Sequence, residues 1–181
     1  MLPTNMDKTG KSLLNHWGKL LVITGLFLSP MVYADEDISS FDELSGARNL
    51  ALVNQIGDSH SADISQQGMS NELYLAQTGY NTSLIASQQG VSNEILLLQS
   101  GSDIEASIQQ TGYGNLVIAN QLGTALEIDV TQNGYGNQAY IYQTGYENSV
   151  WIQQNGSGHV VSVAQWGSSQ TAVITQGHTS N

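Results

Sequence analysis

The sequence predicts an all-β chain, a two-sheet β-solenoid of about 12 strands in six 22-residue coils that follows a signal peptide. Three observations predict it. Gln-x-Gly returns every eleven residues, the positions of one parity inside each unit are apolar throughout, and proline and cysteine are missing from the repetitive part.

Residues 1–34 have the features of a secretory leader. Lys8, Lys11 and Lys19 precede an apolar run from Leu20 to Leu28, too short for a bilayer that takes about 20 residues to cross. Val32-Tyr33-Ala34 supplies small residues suited to cleavage after Ala34. An acidic segment, 35–43, comes next, and residues 177–181 form a short tail after the repeats at 44–176.

Removing the leader takes Asp7, Lys8, Lys11 and Lys19 from a chain with 15 acidic and 4 basic residues. Arg48 is then the only base against 14 acids, a formal charge of −13. So acidic a surface repels phosphate backbones and anionic lipid, which excludes nucleic acid as a partner. With no cysteine in an exported chain, backbone pairing and packing must provide the stability.

The repeat runs without insertion. Gln55, Gln66, Gln77, Gln88, Gln99, Gln110, Gln121, Gln132, Gln143, Gln154 and Gln165 are each followed two residues later by Gly57, Gly68, Gly79, Gly90, Gly101, Gly112, Gly123, Gly134, Gly145, Gly156 and Gly167. A degenerate copy at Leu44 keeps Gly46, and one at Gln176 has Gly177 a position early. Counting from the Gln as zero, positions seven and nine are apolar in every unit, from Ala51 and Val53 to Ala172 and Ile174, in a chain only 40% hydrophobic. Residues two apart on a strand share a face, so these pairs form a buried face. The positions between them vary and face outward. Gln closes each strand and Gly permits the corner.

Position five sets the longer period. It is Asn49, Asn71, Asn93, Asn115, Asn137 and His159 in alternate units, and His60, Thr82, Ile104, Leu126, Asn148 and Gln170 in the others. Two strands therefore make one coil, with odd and even strands stacked in two facing sheets. At about 4.8 Å per coil the rod is about 29 Å long. The Asn and Gln share parity with the apolar pair and point inward. Buried amides need partners, and identical amides stacked one coil apart supply them. A slip of one residue would lose both ladders and expose the core.

A unit of Q-x-G-x-x-N-x-[apolar]-x-[apolar]-x-Q, doubled to 22 residues behind a secretion signal, resembles the curlin repeat of bacterial curli fibres over residues 44–176. The resemblance implies a subunit exported unfolded, addressed by its N-terminal segment to an outer-membrane secretion channel with accessory proteins, and assembled with other curlin subunits as extracellular amyloid for adhesion and biofilm. The turns "GYGN" at 112–115 and 134–137 and the closing "QWGSSQTAVITQ" at 165–176 look most like the minor, nucleating type of subunit. The single Arg48 departs from that type, which usually carries several bases. A major, fibre-forming subunit and a non-polymerising solenoid adhesin are the alternatives.

Open solenoids end in unpaired strands, expected near 49–54 and 170–175. Gln170, Ala172 and Ile174 sit on a strand with neither proline nor charge, and form the expected templating edge. Glu72 with Glu94, and Glu105 with Glu127, stand at position six of neighbouring coils, where like charges oppose pairing. Tyr74, Leu96, Leu98, Leu116, Ile118, Tyr140, Tyr142 and Val160 form an outward apolar stripe on one sheet. Chemistry finds little here: the acids are dispersed, the mature chain has no Lys, His60 and His159 fall on opposite sheets, and Asp is not periodic as in calcium-binding β-rolls. Neither an enzyme nor a cofactor or metal site is expected.

Overall fold

The computed structural model describes residues 32–33 and 48–177. The acidic segment, the leader up to residue 31, Gly46 and His178 lie outside the described residues. Among these, ten strands and no helix are formed: β1 (Val32–Tyr33), β2 (Leu50–Asp58), β3 (Ser61–Met69), β4 (Glu72–Val91), β5 (Glu94–Tyr113), β6 (Leu116–Tyr135), β7 (Gln138–Tyr146), β8 (Ser149–Ser157), β9 (Val160–Ser168) and β10 (Thr171–Gln176). Among the described residues no helix is long and apolar enough to cross a membrane.

Every neighbour from β2 onward is parallel and 22 residues away. Leu73 lies beside Ile95, Ile95 beside Val117, and Ala139 beside Val161. One sheet contains β2, the first halves of β4, β5 and β6, then β7 and β9; the other contains β3, the second halves of β4 to β6, then β8 and β10. These are the twelve legs of six coils. β1 is the exception, antiparallel to β2 with Val32 opposite Val53.

The sheets are less separate than the sequence suggests. Hydrogen bonding continues around the corner that follows Gly79, Gly101 and Gly123, so β4, β5 and β6 each run for 20 residues through both faces. The corner is an arch rather than a hairpin: its backbone groups bond to the same corner one coil away, and the ladder need not stop. Only the residue at position four leaves it, with Asn81, Asp103 and Ala125 at φ of 52°, 55° and 54°.

The core lies between the sheets as expected from parity. Leu73, Leu75, Ile95, Leu97, Val117, Ala119, Ala139 and Ile141 from one side meet Leu84, Ala86, Ala106, Ile108, Ile128, Val130, Val150 and Ile152 from the other. All are buried. At about 25 cal/mol per Å² this strip is the main driving force for folding. The end coils close it less completely: Val53, Ala62, Ile64, Val161, Val163, Ala172 and Ile174 are only partly buried.

Candidate functional site

The inward amides form continuous ladders. In one sheet Gln55 donates to Gln77, and so on through Gln99, Gln121 and Gln143 to Gln165; in the other Gln66 begins a series through Gln88, Gln110, Gln132 and Gln154 to Gln176. Each Nε2 reaches the next Oε1 at 2.7–3.1 Å. The same nitrogen also donates to a backbone carbonyl of the facing sheet, as Gln88 does to Glu72 at 3.0 Å and Gln99 to Ser83 at 3.1 Å. Of the two ends of an amide only the NH2 can donate to a carbonyl, so the backbone fixes which end of each amide faces which way. Gln176, off the glycine register, still closes its ladder.

The Asn ladder has the opposite sense. Asn71, Asn93, Asn115 and Asn137 each donate Nδ2 to the Oδ1 of the Asn one coil earlier, beginning with Asn49, at 3.0–3.1 Å. That Oδ1 also accepts the backbone N–H above it. Asn49 itself is exposed, because its coil is the first. On the other sheet position five is buried but mixed: Thr82, Ile104, Leu126 and Asn148 lie inside, and Asn148 Oδ1 accepts the Gln170 N–H at 3.0 Å. The residue types at this position change from coil to coil, so sequence alone gives no ladder there.

At the corners from Gly57 to Gly145, each stacked under another, nothing larger than glycine fits. From Gly57 to Gly167 all eleven repeat glycines have φ between 101° and 146°. A Cβ on Gly101 would sit 1.8 Å from the carbonyl oxygen of Gly123.

Each tip ends in two strands rather than the one expected from the sequence: β2, along which β1 pairs at Leu52 and Val53, and β3 at the start, and β9 and β10 at the end. A coil has two legs, so its exposed rim has two. Gln170 is exposed, while Ala172 and Ile174 pack partly against the core. Tip histidines take the place of amides. His159 Nε2 lies 3.0 Å from the Asn155 carbonyl, and His60 Nδ1 lies 2.8 Å from Thr82 Oγ1, leaving His60 Nε2 buried without a partner among the described residues.

The outer faces differ. On the sheet of β2 and β9, Leu98, Tyr142 and Val160 are exposed, and Tyr74, Leu96, Leu116, Ile118 and Tyr140 are half-buried against one another. Glu72 stands beside Glu94 there, and Glu105 beside Glu127 on the other face. Hydrogen bonding to Glu72 raises the Tyr74 phenol above its ordinary pKa, with the Glu72 charge adding to it. Among the described residues no group of His, Asp and Glu is placed to hold a metal ion.

The family model of the curlin-associated repeat matches residues 46–79 and 123–153. No curated protein and no solved structure gives a significant match.

Proposed function

We propose, from the curlin-associated repeat matched at residues 46–79 and 123–153, that this chain is an extracellular curli subunit of the minor kind, which nucleates fibre growth at the outer surface and so supports adhesion and biofilm. The observation that carries this reading is the pair of open tips. With residues 1–34, and β1 among them, removed, each offers two parallel strand edges with core residues only partly buried beneath them. A recruited chain meets a finished template and avoids the entropic cost of fixing the first strands, about 1–2 kcal/mol per residue. The edge at Gln170, Ala172 and Ile174 carries neither proline nor charge, the usual protections against such addition. Export would follow removal of residues 1–34, with the acidic segment addressing the chain to the secretion channel.

Seeding is the direct test. Mature chain added at a few per cent to a soluble curlin should shorten the lag before dye-binding fibres appear. An unchanged lag sinks the nucleating role. The open tips equally suit a fibre-forming major subunit, which would polymerise to completion alone and form most of the fibre mass.

A further inference from the structure

Trp151 stands on the polar outer face of the second sheet, 45% exposed, with Asp129 beside it one coil earlier and Val173 one coil later. Its ring is held in place, because Nε1 donates to Glu127 Oε1 at 3.4 Å. Two residues further along the strands runs a polar row, Thr131, Gln153 and Thr175, again one residue per coil. The two rows line a shallow groove of about 240 Å³. It crosses three strands, a length of about 10 Å.

The polar groups of this groove are unspent. Elsewhere on the outer surface stacked amides close on each other, Gln89 donating to Gln67 at 3.3 Å and Asn133 to Asn155 at 3.2 Å. Among the described residues the side chains of Asp129, Thr131, Gln153 and Thr175 make no such bond, although they too stand side by side. Glu127 is committed, with Oε1 on Trp151 and Oε2 on the Ser149 hydroxyl at 3.4 Å. Asp129 is therefore the one free carboxylate in the groove.

Charge and hydrogen-bonding capacity narrow the ligand. No Lys or Arg lies between β3 and β10, so phosphates, sulfates and uronates are repelled. A basic side chain would find a single carboxylate, and since it only donates, it would leave the Gln153 N–H groups to water. A sugar ring matches the whole set. Its hydroxyls both donate and accept, and its C–H face packs against the negative face of an indole.

We propose that this groove binds one ring of an uncharged hexopyranose chain. The ring stacks on Trp151, two neighbouring hydroxyls donate to Asp129, and the others exchange hydrogen bonds with Thr131, Gln153 and Thr175. Val173, 64% exposed, extends the apolar floor. Pockets that enclose a whole ligand hold about 300–1,000 Å³, so this smaller groove grips a saccharide that passes over it. One such contact is weak. In fibres, which the assembly reading above supplies, the site would recur every six coils, about 29 Å, and contacts along one polysaccharide would add by avidity.

The groove faces outward whether the chain is single or assembled, so the chain from Asp35 can be tested in either state once circular dichroism shows its sheets. W166F leaves Trp151 as the only tryptophan, since Trp17 lies in the leader. At least one of cellohexaose, laminarihexaose and chitohexaose, at millimolar concentration, should change its fluorescence saturably; oligogalacturonate and tetra-arginine should not. By saturation-transfer NMR of the bound saccharide, W151A should weaken binding about tenfold or more and D129N about threefold, while W166A binds as the unsubstituted chain does. Three results would overturn the site: no saturable response to any of the neutral hexasaccharides, binding undiminished in W151A, or a loss shared equally by W166A. A response to tetra-arginine alone would overturn it too and make this face a dock for basic peptide. None of these results depends on the lag-phase test of nucleation.

Discussion

Gln88 donates to Gln110 at 2.9 Å in a position where neither side chain meets solvent, and the same nitrogen holds the Glu72 carbonyl at 3.0 Å. One amide thus joins two coils and both sheets. Replacing Gln110 with Leu keeps the volume but leaves the Gln88 N–H, the Gln132 oxygen and the Glu94 carbonyl without their partner. Buried unpaired groups cost about 1–3 kcal/mol each. Q110L should therefore lose roughly 3 kcal/mol or more in denaturant titration, and Q165L, at the rim with its outward neighbour missing, clearly less.

The glycines divide by what stands beside them. A Cβ on Gly101 collides with backbone, whereas one on Gly114, also at positive φ, meets nothing within 4 Å. G101A should prevent the coils from stacking, seen as loss of the β-sheet circular dichroism signal. G114A should cost only the left-handed penalty, about 1–2 kcal/mol, and retain the fold. Equal effects would mean that the corner glycines serve conformation alone.

The stacking was legible in the sequence because each rung needs the same residue at the same place, and eleven-residue arithmetic exposes that need. Parity then separated Leu73 and Leu75 from Tyr74 without ambiguity. The left-handed corner residues were only partly legible: Gly114, Gly136, Gly158, Asn81 and Asp103 are types that favour this conformation, whereas Ala125 and Glu147, both at φ of 54°, are not. At Ala125 and Glu147 stacking overrides the local preference, so those corners leave no residue signature. The sense of the ladders was hidden too, since a glutamine reads the same whichever way its amide points, and only the facing carbonyls decide.

Glu72 beside Glu94 and Glu105 beside Glu127 place like charges one strand apart. Each pair is partly relieved, by the Tyr74 hydroxyl on Glu72 at 3.0 Å and by the Trp151 Nε1 on Glu127 at 3.4 Å. Repulsion of about 0.5–1 kcal/mol per pair remains to be lost on protonation. Acidification that protonates carboxylates should speed assembly, and E94Q/E105Q should accelerate it about two- to fivefold or more at neutral pH. Identical kinetics across pH and between the chains would remove these pairs from the control of growth.

Tyr74 should titrate late. Its phenol donates to Glu72, and ionising it would set two negative charges against each other. A pKa raised on folding means that the folded chain holds the proton longer than the unfolded one. The stabilisation is full below about pH 10, the ordinary tyrosine value, and is lost as pH rises through the raised one. E72Q preserves a donor geometry already present between Tyr140 and Gln138 at 2.9 Å and removes the charge. Ultraviolet difference titration should show Tyr74 ionising at lower pH in E72Q, and an unchanged curve would assign the shift to burial.

The apolar outer face separates lateral from axial contacts. Leu96 and Ile118 stand in adjacent coils among Tyr74, Leu98, Leu116 and Tyr140, on a face whose charges are confined to Glu72 and Glu94. The opposite face carries Asp63, Glu105, Glu127 and Asp129 among Ser, Thr and Gln, with only Ile85, Trp151 and Val173 apolar and exposed between them. Growth along the axis uses strand edges and interior amides, none of which these side chains touch. L96K/I118K should therefore keep the cross-β spacing and elongation rate while fibres separate into thinner filaments by electron microscopy. S83K/S107K places the same two charges on the polar face and should leave bundling unchanged. If both variants disperse the bundles alike, net charge rather than the apolar face governs lateral association.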